Sequence, residues 1–304
     1  MTDVSVVVCT RNRAHAILNC LQSIADSAAH CEAKAELQIV VVDNGSRDGT
    51  ASIVREWARN SPIAVDVVEQ PRVGLSVARN SGVATARGRL VVFTDDDCRL
   101  ELNYIKDLLA HDATDSGPVL RGGRVELGDA TDLPFTVKTD CSTFRYHIRK
   151  TNLRMLHLGG CILGCNMAMR REVIEKVGDF DERFGAGGMF PAAEDTDFIF
   201  RAYLAGFPIE YVPDMTVRHY HGRKSLADIQ QLLRNYDLGE GAIYAKYALR
   251  HPAFVRQFYW DLKASLRELF GPKTYQPQFG VFSRHKIARN IRGIFSYAFK
   301  GLRA

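Results

Sequence analysis

The sequence has no apolar run near the ~20 residues that a membrane-spanning helix needs, so it predicts no helical span. Over Met1 to Cys9 it also lacks the basic region and long apolar segment of a signal peptide, and a cytoplasmic protein is expected. Its 7 cysteines (Cys9, Cys20, Cys31, Cys98, Cys141, Cys161 and Cys165) are odd in number and show no CxxC pair, which argues against a disulfide framework. Cys161 and Cys165 are too weakly patterned to mark a soft-metal site. Missing too, in the first part of the chain, are the P-loop signature and the GxGxxG turn, which sets P-loop nucleotidases and nicotinamide enzymes aside. What is present is the composition of a folded enzyme, 46% hydrophobic and 25% charged, with enough apolar residues for a sizeable core.

Charge is unevenly placed. Residues 223–304 hold 15 Lys and Arg against 5 Asp and Glu, whereas residues 1–222 hold 25 against 30. Two parts are implied, residues 1–224 and a basic helical extension over 225–304. Nothing in either part calls for a nucleic-acid partner.

The densest signal is Leu90-Val91-Val92-Phe93 followed by Thr94 and then Asp95, Asp96 and Asp97. Four apolar residues without alternation suit a strand covered on both faces. Three adjacent carboxylates at its end repel one another, so a cation is expected among them. A hard divalent metal, Mn²⁺ or Mg²⁺, is the simplest candidate, with a phosphate-bearing ligand beside it. The alternative is an acidic turn that caps a helix beginning near Glu101.

Upstream, apolar runs at Val4–Cys9, Leu37–Val42 and Ala64–Glu69 alternate with helical spacing at Ala14–Ala29, Thr50–Asn60 and Leu75–Ala86. Such a βαβ succession predicts a parallel sheet with ligands beyond the carboxyl ends of its strands. Those ends carry Thr10 to Arg13, Asp43 to Thr50 and the Asp triplet. A nucleotide-sized ligand fits that rim.

These segments resemble glycosyltransferase family 2. The resemblance rests on Val-Val-Val-Cys-Thr-Arg-Asn-Arg (6–13), Val-Val-Asp-Asn-Gly-Ser-Arg-Asp-Gly-Thr (41–50), Gly-Leu-Ser-Val-Ala-Arg-Asn-Ser-Gly (74–82) and Phe-Thr-Asp-Asp-Asp (93–97). It continues through Gly164 to Arg171, Val177 to Glu182, Glu194-Asp195-Thr196-Asp197 and Arg218-His219-Tyr220-His221. The family implies a GT-A fold, a Rossmann-like mixed α/β sheet, over residues 1–224, with 1–100 binding the nucleotide and 101–224 facing the acceptor. It also implies an inverting transfer of a sugar from a nucleotide-sugar donor, UDP-linked on this reading, to a glycan or lipid-linked acceptor. By the same resemblance Asp43 accepts a hydrogen bond from the base, Thr10 and Arg13 meet the nucleotide, and Arg79 contacts its sugar. Asp95 and Asp97 are the outer residues of the DxD motif, the first near the ribose and the second on metal and diphosphate, and Asp96 is counted with the donor-facing residues. Arg79 has a second reading, a surface ion pair that steadies its helix.

Between Glu101 and Leu158 the signals are weaker: a helix at Tyr104–His111, extended chain at Val119–Leu127, and a bend or bulge at Gly122-Gly123. Gly159, Gly160 and Gly164 bracket a short apolar run and allow close approach of a sugar. Asn166 to Met169 read as a strand entering a helix at Arg170-Arg171, and Gly185 to Gly188 suggest a mobile loop. Glu194-Asp195-Thr196-Asp197 opens a helix whose Phe198, Ile199, Ala202 and Tyr203 face the core. Acidic residues in a first turn are often helix-dipole complements, which accounts for Asp197. The resemblance places the catalytic base on this pair, at Asp195 with Glu194 as second choice. His219 and His221, in HxH spacing, are candidates to complete the metal site, with His219 preferred.

In the extension, Gln231 to Asn235 resembles the QxxRW motif of processive synthases, but Asn235 replaces the tryptophan, so single-sugar transfer is expected. Ile287, Ile291, Ile294, Phe295, Ala298 and Leu302 form a helical stripe flanked by Arg284, Lys286, Arg289, Arg292, Lys300 and Arg303. Residues 284–303 therefore predict contact with an anionic membrane surface, placing the enzyme on the inner face of the cell membrane, or else a packed tail helix with a solvated basic face. Two other functions compete: a sugar-nucleotide nucleotidyltransferase, which would show a glycine-rich turn in place of Thr10-Arg11-Asn12-Arg13, and a non-catalytic membrane-surface module.

Overall fold

The computed structural model describes residues 2–32, 35–147 and 160–301. Gly159, Leu302 and Arg303 lie outside the described residues, as does part of the acceptor-facing stretch. Strands β1 (Val4–Thr10), β2 (Leu37–Asp43), β3 (Ala64–Glu69) and β4 (Leu90–Asp95) are parallel, in the order β3-β2-β1-β4. Helices α1 (Ile17–His30), α2 (Thr50–Arg59) and α3 (Leu75–Thr85) make the crossovers, and α4 (Tyr104–Thr114), α5 (Arg171–Val177) and α6 (Glu194–Leu204) follow in the second half. Beyond β4 the sheet turns mixed: β8 (Asn166–Arg170) is antiparallel to β4, followed by β6 (Leu120–Leu127), β9 (Ile209–His219) and β5 (Cys98–Leu100), with β7 (Phe144–Tyr146) also on β9.

The lack of alternation in β4 has the expected cause. Val91 and Phe93 belong to the core on one face of the sheet, and Leu90 and Val92 to the core on the other. Full burial of such side chains contributes about 1.5–3 kcal/mol each. Helix α1 starts at Ile17, later than its apolar spacing suggested, because residues 14–16 form a turn. The register shift between Gly123 and Val125 realises the bulge expected at the glycine pair.

The extension forms α7 (Leu226–Tyr247), α8 (Pro252–Arg267) and α9 (Ser283–Ser296). Ser225 and Asp228 begin α7 with a reciprocal capping box. Helices α7 and α9 approach so closely that a Cβ on Gly241 would lie 2.1 Å from the Asn290 carbonyl oxygen. This contact favours the second of the two readings of the tail, a helix packed on the domain. Ile287 is buried, Lys286 pairs with Asp261 at 2.7 Å and Glu240 at 3.1 Å, and Arg289 pairs with Asp237 at 2.9 Å. The stripe is split, and two of its six cations are already neutralised within the protein.

Candidate active site

Parallel pairing brings the strand ends together. Thr10 lies opposite Asp43, and Cys9 opposite Asp95. The antiparallel pairing of β5 with β9 puts Cys98 opposite His219, so the histidine arrives beside Asp97 from more than a hundred residues away. The His219 Nε2 atom is 3.3 Å from Asp97 Oδ1. One donor atom each from Asp95, Asp97 and His219 falls within 4.8 Å of the others. Two carboxylates and an imidazole suit Mn²⁺ or Mg²⁺, and the residues fit such an ion.

The cations expected among the carboxylates are supplied by the chain. Arg13 Nε is 3.2 Å from Asp96, and its Nη2 is 3.2 Å from Asp97. Thr10 donates its hydroxyl proton to Asp96 at 2.7 Å. Burial pushes the Asp96 carboxyl up to about 6, against the Thr10 hydrogen bond and the Arg13 charge. Burial also acts to raise Asp97, but the His219 hydrogen bond and the charges of His219 and Arg13 outweigh it and hold that carboxyl below its ordinary range. His219 shows the complementary result: burial lowers it, but the Asp97 hydrogen bond and the neighbouring negative charges raise it more, to about 9.

His221 is turned elsewhere. Its Nδ1 accepts the Arg223 amide proton at 3.0 Å and lies 3.5 Å from Asp132, and burial together with the His219 charge lowers its pKa. The geometry therefore gathers His219 and not His221 with the aspartates. Cys98 and Cys165 lie against the same histidine, with donor atoms within 4.8 Å of it and of each other. Contact with Cys165 and burial push the Cys98 thiol well up, which keeps it protonated.

Arg79 is not on the surface. It is 3% exposed, and it lies 3.0 Å from Glu194, 3.7 Å from Asp95 and 3.3 Å from the Gly164 carbonyl oxygen. The surface-pair reading is thereby corrected: Arg79 is the buried cation that joins Asp95, at the end of β4, to α6 (Glu194–Leu204). Glu194 is raised to about 7 by burial, with the Arg79 charge opposing and the Asp195 charge adding. Asp195 is half-buried and accepts backbone protons from Gly164 at 3.0 Å and Thr196 at 2.6 Å.

The expected close approach at Gly164 is made by the protein itself. A Cβ there would stand 2.9 Å from both Asp195 Cβ and Oδ2. Gly164→Ala is expected to lower stability by about 1–3 kcal/mol, since the clash is with the Asp195 Cβ, which a side-chain rotation cannot move aside. Denaturant unfolding checks this, and an unchanged midpoint would show that Asp195 yields freely.

Asp197 is likewise more than a helix-dipole complement. It is fully buried, accepts protons from Tyr247 at 2.7 Å and Arg201 at 2.9 Å, and pairs with Lys246. Lys246 reaches Asp181 at 2.8 Å as well, so the end of α7 is tied to the helix that carries Asp195. The glycine-rich loop after Phe184 is held too, with the Ala186 carbonyl accepting the Leu75 amide proton at 2.9 Å. At the end of β2, Asp43 accepts from the Ser46 amide at 3.1 Å. Asn44, which the sequence did not single out, fixes the neighbouring loop through the Gln70 and Arg72 carbonyls and the Gly74 amide.

This mixed sheet with an acidic rim is the GT-A arrangement of nucleotide-sugar glycosyltransferases. Two solved structures share the fold: mannosyltransferase PcManGT from Pyrobaculum calidifontis in complex with GDP-Man and Mn²⁺ (TM-score 0.63, 20% identity, 97% of this chain and 87% of that one) and S. aureus TarS 1–349 in complex with UDP (0.58, 22%, 98% and 91%). The sequence model for Glycosyl transferase family 2 matches residues 5–178, and the chain belongs to that family. Its relatives include glycosyltransferase AglE of Haloferax volcanii, 26% identical over 79% of this chain and 73% of that protein. Putative glycosyltransferase EpsH of Bacillus subtilis is 26% identical over 75% of this chain, which spans 62% of EpsH.

Proposed function

We propose that this glycosyltransferase moves one sugar from a nucleoside diphosphate sugar to an acceptor hydroxyl, with inversion at the anomeric carbon. The observation that carries the reading is the Asp95–Asp97–His219 donor set at the rim of the sheet, with Asp43 at the end of β2 in the same row of strand ends and Asp195 beside Glu194, which Arg79 links to Asp95. Asp43 accepts a hydrogen bond from the base, and Asp95 faces the ribose with Asp96, Thr10 and Arg13 around it. Asp97 and His219 would hold Mn²⁺ or Mg²⁺, and the bound ion would offset charge on the leaving diphosphate. Asp195 takes the acceptor proton, because it is partly open and its carboxylate is oriented by two backbone N–H groups. Glu194, 7% exposed and engaged by Arg79, positions that arginine rather than reaching the acceptor.

The bound UDP of TarS and the GDP-Man and Mn²⁺ of PcManGT support a nucleotide-sugar donor and a divalent ion. The acceptor is a glycan or a lipid-linked hydroxyl compound, a precursor of cell-envelope glycan, reached from the inner face of the membrane. Among the described residues no helix is long and apolar enough to cross a bilayer, which is compatible with peripheral attachment. Screening UDP- and GDP-sugars, with and without lipid acceptors, for release of the nucleoside diphosphate tests the reading. One donor should turn over, stop with EDTA and recover with Mn²⁺ or Mg²⁺. Release of pyrophosphate instead would favour a nucleotidyltransferase, and turnover indifferent to EDTA would remove the metal.

A further inference from the structure

Helix α8 carries an exposed apolar face over its second half. The polar residues on its inner side are engaged: Asp261 pairs with Lys286 at 2.7 Å and accepts from Gln257 at 3.3 Å, while Glu268, just past its end, accepts the Thr274 and Ser283 amide protons at 2.6 and 3.1 Å. Phe258 packs on Tyr244, with ring centroids 5.8 Å apart, but most of the other large apolar residues from Tyr259 onward face out. Tyr259 is 55% exposed, Trp260 42%, Leu262 39% and Leu266 57%, and the turn that follows adds Leu269 at 65% and Phe270 at 96%. Single exposed apolar residues are ordinary, but six within twelve positions of one helix and its turn mark a binding surface.

Charge identifies the occupant. Between residues 250 and 273 the only acids are Asp261 and Glu268, both engaged on the inner side, whereas the helix carries Arg256, Lys263 and Arg267, the first two beside Trp260. Arg256 and Lys263 lie 5.6 and 5.1 Å from the centre of the Trp260 ring. Aromatic and leucine side chains among cations, with no free acid, match the headgroup region of an anionic bilayer, where rings and methyls enter and cations stay with the phosphates. A protein partner recognised by the same face would have to be acidic and apolar together, and a second copy would bring cation against cation.

We propose that the outer face of α8 and its following turn, residues 256–273, is the surface by which this glycosyltransferase docks on an anionic lipid bilayer. This places the contact on α8 rather than on the tail, which keeps Ile291 40% and Phe295 58% exposed but has Ile287 buried and Lys286 and Arg289 paired within the protein. The surface goes beyond the proposed transfer, since a bilayer binds it whatever the acceptor is. Nucleoside diphosphate release in the absence of lipid separates failure of the one from failure of the other.

The chain holds 2 tryptophans, so Trp57→Phe leaves Trp260 as the sole reporter in the full-length protein. With vesicles containing phosphatidylglycerol at low salt, the protein should co-sediment, Trp260 emission should shift to the blue, and brominated acyl chains should quench it. Pure phosphatidylcholine vesicles and high salt should each weaken binding about tenfold or more. Combined Leu266→Ser and Phe270→Ser should lower partition about tenfold while leaving thermal unfolding and nucleotide binding unchanged, as exposed positions allow. No sedimentation, or an unquenched Trp260, overturns the proposal. So does light scattering that shows a lipid-free dimer shielding Trp260, or a greater loss from Ile291→Ser with Phe295→Ser on the tail.

Discussion

Asp97→Ala is expected to abolish transfer and to remove most of the metal dependence of donor binding. The reason lies in how much converges on this one carboxylate. It receives His219 at 3.3 Å and Arg13 at 3.2 Å, it is nearly buried, and it is held ionised by their charges. Removing it leaves His219 without its partner and a bound diphosphate without the ion that offsets its charge. Turnover should fall below detection, and calorimetric binding of the donor should no longer differ between Mn²⁺ and EDTA. Unchanged affinity with unchanged metal dependence would show that the ion is held elsewhere.

Asp195→Asn should act on the other half of the reaction. The amide keeps the shape, and its oxygen still accepts from the Gly164 or Thr196 backbone, but it cannot take a proton from the attacking hydroxyl. Donor binding should stay within about twofold, while kcat falls by a factor on the order of 10² or more. Near-normal turnover would move the base to Glu194. That carboxyl, lifted to about 7 by burial, has the basicity for the role but is engaged by Arg79.

The strand ends could be read from sequence because local pattern sufficed: β4 is an uninterrupted apolar run covered on both faces, and its Asp triplet follows directly. Arg79 could not be read in this way. Its burial depends on Glu194, 115 positions further on, and a basic residue on a helix looks the same whether its partner is buried or in solvent. Asp197 failed similarly, since an acid in a first turn has one signature, and its pairing with Lys246 spans 49 positions. The histidines were ambiguous because alternation puts both on one face only while the strand lasts. β9 ends at His219, and beyond it His221 turns to Asp132. In the tail the helical period was right, but the period is silent on what α9 packs against. The acids of α7 and α8 supplied that answer.

The most direct measurement is calorimetric titration of UDP and of GDP into the full chain, once with Mn²⁺ and once with EDTA. A donor site built from Asp43, Asp95, Asp97 and His219 predicts one nucleotide bound per chain in the presence of Mn²⁺, with affinity lost on chelation. Binding of neither nucleotide, or equal affinity with EDTA, would contradict it.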